Sequence, residues 1–98
     1  MRRPEECRSL EEVRAEIDRL DRQVIAALAE RFEYVKTILR FKTDEASVRA
    51  PERFEAMLRE RRRWAEEAGL SGEVIEKLYR DLVSYFLEEE LKHWRNSS

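Results

Sequence analysis

Arg31-Phe32-Glu33-Tyr34-Val35-Lys36-Thr37-Ile38-Leu39-Arg40-Phe41-Lys42 decides how this chain folds. It contains no Gly or Pro, and its apolar residues recur at helical spacing. On a helix turning about 100° per residue, Arg31 and Lys42 fall about 20° apart, with Val35 and Ile38 within about 40° of Arg31. The spacing predicts one helical face with an apolar floor and a fixed cation toward each end. Such a face suits a small ligand with two negative charges and a hydrophobic middle. A helix whose cations merely snorkel out of a core has the same pattern, so the surrounding sequence must separate the two.

Upstream, the same periodicity runs back through Leu10, Val13, Ile17, Leu20, Val24 and Ala27, in alternating steps of three and four. Arg31 is the one charged member of this seam. A second row, Ile25, Leu28, Phe32, Val35 and Leu39, widens the apolar face. Ser9-Leu10-Glu11-Glu12 reads as a capping box that opens the helix, and residues 1–8 read as a loosely attached arm. A helix from residue 10 to about residue 42 would be roughly 50 Å long. A compact domain of this size has a radius of gyration near 13 Å. The remaining residues are too few to cover such a helix, which predicts an intertwined homodimer with crossing long helices.

Downstream, residues 43–50 lose the seam and read as a loop. Pro51 fits the first position of a second helix, carrying Phe54, Met57, Leu58, Trp64 and Ala65 and stopping at Gly69. Its Arg59-Glu60-Arg61-Arg62-Arg63 run reads as a solvated face paired with glutamates. Ser71 caps a third helix, over residues 72 to about 94. Its stripe includes Val74, Leu78, Leu82, Phe86, Leu87, Leu91 and Trp94, with Glu90 inside it. An acid on an apolar face sits at a rim, pairs with a cation, or is held protonated by desolvation. The expected fold is all-α, a single domain of one long and two medium helices.

Composition narrows the function. Charged residues make up 43 % of the 98 residues, but the net charge of −2 is too balanced for a general basic field that would hold nucleic acid. No apolar run approaches the roughly 20 residues of a membrane span, and no signal-peptide pattern is read at the start. Cys7 is the single cysteine and His93 the single histidine, which excludes an internal disulfide and a Cys/His zinc site within one chain. A reducing cytoplasm is the expected compartment. Any enzyme chemistry has to run on Arg, Lys and carboxylates, with no metal or cofactor expected.

Arg14, Ile17, Asp18 and Asp21, then Arg31, Val35 and Lys42, then Ala50-Pro51-Glu52-Arg53, resemble the all-helical chorismate mutase superfamily. Pro4-Glu5 with Cys7, the pair Phe41-Lys42, Arg63-Trp64-Ala65-Glu66-Glu67 with Gly69-Leu70, and Lys92 with Trp94-Arg95 resemble its isochorismate pyruvate lyase branch, the salicylate-forming enzymes of siderophore pathways. The resemblance is collinear over nearly the whole chain. It implies an intertwined dimer with two equivalent sites, each completed by Arg14 of the other chain. It also implies that Arg31 and Arg14 hold the two carboxylates of the substrate, and that Lys42 meets a carboxylate and the enolpyruvyl ether oxygen. Arg53 helps with the ring carboxylate in this reading, and Val35, Ile38, Met57 and Leu87 line the apolar wall.

Mutases of this fold typically flank that arginine with acids that contact the ring hydroxyl of chorismate. Ala50 and Phe54 stand there and accept nothing, which leaves a buried polar group unsatisfied at a cost of ~1–3 kcal/mol. The implied activity is therefore cleavage of isochorismate to salicylate and pyruvate, with weak chorismate mutase side activity; a dedicated chorismate mutase is the alternative. Glu90 departs from the lyases, which carry Gln there. Ionised glutamate cannot donate a hydrogen bond to the ether oxygen, whereas protonated glutamate can. Either the pocket raises the pKa of Glu90, or activity shifts toward acid pH, or this part of the site is impaired. A non-enzymatic helical dimerisation module also explains the seam and the length, but not the placing of Arg31 and Lys42.

Overall fold

A computed structural model describes residues 2–97 of the chain, and every element among them is helical. The long helix, α1, spans Leu10–Ile38. Ser9 caps it as predicted, its hydroxyl accepting the N–H of Glu12 at 3.1 Å. The Glu12 carboxylate takes the N–H of Arg8 rather than that of Ser9. Glu11 and Glu12 in the first turn and Lys36 in the last complement the helix dipole. No helix among the described residues is long and apolar enough to cross a membrane.

Chain contacts divide the molecule into one unit up to Tyr34 and another from Val35 onward. In the first unit, the predicted arm is tied down. Met1 lies outside the described residues, but Pro4–Glu6 forms a 3-10 turn. The N–H of Arg2 donates to Glu16 Oε1 at 3.2 Å, and its guanidinium pairs with Glu12 at 3.0 Å. Glu16 also accepts from Arg19 Nε at 3.0 Å. The arm therefore rides on the first two turns of α1 rather than hanging loose. The seam is a different matter. α1 buries no residue at all, and Leu10, Val13, Ile17, Leu20 and Val24 are between 40 % and 62 % exposed in the single chain.

The second unit begins with the last turn of α1, and here the predicted helix is too long. α1 ends at Ile38, and Leu39–Phe41 tighten into a 3-10 turn closed by the Lys42 N–H on Leu39 O at 3.3 Å. Lys42 itself has extended backbone, with φ −97° and ψ 145°. A 3-10 turn advances about 120° per residue, so the azimuth assigned to Lys42 by α-helical counting does not hold. The expected loop at 43–50 is also more ordered than its composition suggests. It contains a short helix, α2 (Glu45–Arg49), with a capping box made by Asp44 and Ser47 and with Val48 buried. The described chain thus has a fourth helix beyond the three expected.

Ala50 links α2 to α3 (Pro51–Glu67) in the left-handed region, φ 36° and ψ 62°. Pro51 opens α3 as expected, and Gly69, at φ +82°, lets the chain leave it; the N–H of Leu70 returns to Ala65 O at 2.8 Å. Ser71 then caps α4 (Gly72–Ser97), accepting from the N–H of Val74 at 3.2 Å. α3 packs on α4, and α2 packs on α4 as well. Met57, Leu58, Ala65, Phe86 and Leu91 form the buried centre. Arg80 on α4 grips both oxygens of Glu55 on α3, at 3.2 and 3.3 Å, which holds its guanidinium protonated more firmly still. The arginine run behaves as predicted: Arg62 pairs with Glu66 and Glu76, Arg63 with Glu67, and Arg61 stacks 4.6 Å over Trp64.

Candidate active site

The nine predicted site residues fall on four pieces of backbone. Arg14 and Arg31 belong to α1 within the first unit. Arg14 is exposed, whereas Arg31 is half-buried, with its Nη1 shut off from solvent. Seventeen residues separate them, about 25 Å along a helix axis, and their azimuths differ by about 100°. On one chain they cannot grip the same small molecule.

The other seven belong to the unit from Val35 onward. Val35 is half-buried in the last turns of α1, and Ile38 is 45 % exposed. Lys42 is half-buried where the backbone leaves the 3-10 turn. Arg53 is exposed in the first turn of α3, a position fixed by the left-handed Ala50 and by Pro51. Met57, one turn further along the same helix, is buried. Leu87 and Glu90 sit half-buried one turn apart on α4, which packs on α3. At i and i+3 they share a face, so the acid predicted inside the apolar stripe is indeed there. Phe54 faces Arg80, whose guanidinium lies 5.8 Å from its ring.

Within the second unit, Lys42 supplies a half-buried cation, Glu90 a half-buried acid and Met57 a buried apolar side chain, groups that can hold an anion and meet charge that develops on it. Among the described residues, no group of three or more His, Cys, Asp or Glu gathers as a metal site.

The profile of chorismate mutase type II matches residues 13–91. The chain belongs to the chorismate mutase type II family. That match runs from the fourth residue of the seam helix past Glu90 in α4, and so takes in all nine site residues. Among relatives of this family member is the Pseudomonas aeruginosa protein named isochorismate pyruvate lyase, 44 % identical over 97 residues, which covers 99 % of this chain and 96 % of that protein. Another is the Haemophilus influenzae protein named T-protein, 42 % identical over 82 residues, covering 83 % of this chain but only 21 % of the longer relative.

One feature beside the site escaped the sequence reading. Arg95, near the end of α4, donates from Nε to Glu45 of α2 at 2.8 Å, with Nη2 at 2.6 Å. The partners are fifty residues apart, so no local periodicity pairs them. The capping signal Asp44-Glu45-Ala46-Ser47 was visible and marks the helix that carries Glu45.

Proposed function

We propose that this chain is an isochorismate pyruvate lyase, which cleaves isochorismate to salicylate and pyruvate with no cofactor. The observation that carries the reading is the 44 % identity, end to end, with the Pseudomonas aeruginosa protein of that name. Ala50 and Phe54 support it, since neither accepts a hydrogen bond from the ring hydroxyl of chorismate. The salicylate would serve siderophore assembly, and the free thiol of Cys7 agrees with a cytoplasmic site of action.

The working unit is an intertwined homodimer of one domain per chain. Two observations support it. Arg14 and Arg31 stand too far apart on α1 to serve one ligand, and the N-terminal seam of α1 is left open in the single chain. Covering each large apolar side chain contributes about 1.5–3 kcal/mol. Crossing α1 helices would bury the seam and bring Arg14 of one chain to the pocket of the other.

In each site, Arg31 and the donated Arg14 hold the two carboxylates, with Arg53 assisting at the ring carboxylate. Val35, Ile38, Met57 and Leu87 wall the ring. The flexible enolpyruvyl group is thereby folded over the ring, an orientation effect. In one concerted step the hydrogen on the hydroxyl-bearing ring carbon moves to the enolpyruvyl methylene as the ether C–O bond breaks. Lys42, aided by Glu90 when protonated, meets the charge developing on that oxygen. The 43–50 segment closes over the ligand and excludes water.

The family's own name favours chorismate mutase as the second reading, and a weak mutase side activity is expected from the shared geometry. Purified protein given isochorismate should release salicylate and pyruvate in equal amounts. Faster formation of prephenate from chorismate would reverse the assignment.

A further inference from the structure

We propose that Glu45 and Arg95 are positioning residues for Lys42, acting through α2. The inference rests on the reading of Lys42 given under Proposed function. The Lys42 N–H closes the 3-10 turn that follows α1, but its extended φ and ψ turn the chain out of that helix toward α2. The C-terminal side of Lys42 is fixed by Thr43 and Asp44. Their N–H groups approach the Ser47 hydroxyl at 3.4 and 3.3 Å, and that hydroxyl donates to Asp44 O at 2.8 Å. The N–H of Ser47 donates to Asp44 Oδ1 at 2.8 Å. The two residues after Lys42 are thus knitted onto the first turn of α2, so that the docking of this helix sets how the chain leaves Lys42.

A helix of five residues does not persist by itself. α2 is held on α4 by one buried side chain, Val48, and by the ion pair from Glu45 to Arg95. Against these stands Ala50, held at a positive φ that residues other than glycine disfavour and that undocking would relax. The balance is close enough for one ion pair to matter. Both of its side chains are about half exposed, so it shifts the docked-to-undocked ratio by up to about fivefold.

The test uses the full chain with Glu45→Arg, Arg95→Glu, and the two combined. Hydrogen exchange at residues 47–50 reads docking, and salicylate formation reads Lys42. Each single variant should exchange faster and lose up to about threefold in kcat/KM, the loss when a fivefold shift acts on an evenly balanced equilibrium, with kcat taking more of the loss than KM. The reversed pair should recover both. Exchange that does not change, kcat/KM that stays whole while exchange rises, or losses that persist in the reversed pair would each overturn the proposal. A wild-type protein that makes no salicylate would instead remove the functional reading, and this inference with it.

Discussion

Leu58 on α3, which packs on α4, has no accessible surface. Leu58→Ala should lower unfolding stability by about 2–5 kcal/mol, the range for a buried leucine that leaves a cavity. Urea denaturation measures this, and a loss under about 1 kcal/mol would mean that α3 is held by something other than its core. Glu90 raises a chemical question instead of a packing one. Only its protonated form donates, so turnover should rise as pH falls through its titration. Glu90→Gln donates at every pH and should flatten the profile. An unchanged profile would remove Glu90 from the account. The acid was legible in the sequence because it interrupts a stripe, as Arg31 interrupts its seam. Its protonation was not, since that depends on groups brought near it by folding.

Helix starts and stops follow local rules, and those elements could be read directly. Ser9, Pro51, Gly69 and Ser71 act within a few residues of where they stand, and all four do what their chemistry predicts. The end of α1 could not be read, because nothing between Ile38 and Lys42 breaks a helix; the chain tightens there without a Gly or Pro. α2 was missed for the opposite reason. It has a clear capping signal but a single buried residue, too little periodicity to register. The N-terminal arm shows how such local ties respond to pH. Glu16 is held below the usual carboxylate range, first by the N–H of Arg2 and then by Arg19, and Asp44 likewise by Ser47. A carboxyl lowered in the folded state stabilises above its ordinary value and ceases to as pH falls through the folded value. Amide protection of Arg2 and Ser47 should hold steady above about pH 5 and fall below about pH 4. Protection that weakened on raising the pH from about 5 to about 8 would contradict these contacts.

At the scale of the whole molecule, the length of α1 and its open seam are the grounds for proposing a homodimer as the working unit. The helix is longer than its own chain can cover, and the structure leaves its N-terminal seam exposed. Arg14 and Arg31 lie about 25 Å apart along one helix, so the proposed site needs Arg14 from a second chain. If each site borrows Arg14 from the other chain, two dead variants should repair one another. Arg14→Ala and Lys42→Ala, each alone, should make little salicylate from isochorismate. Unfolded and refolded together in equal amounts, half the dimers are mixed and one of their two sites is intact, so about a quarter of wild-type activity should return. A mixture no more active than either variant alone, or an Arg14→Ala protein with full activity, would contradict a lyase site built from two chains.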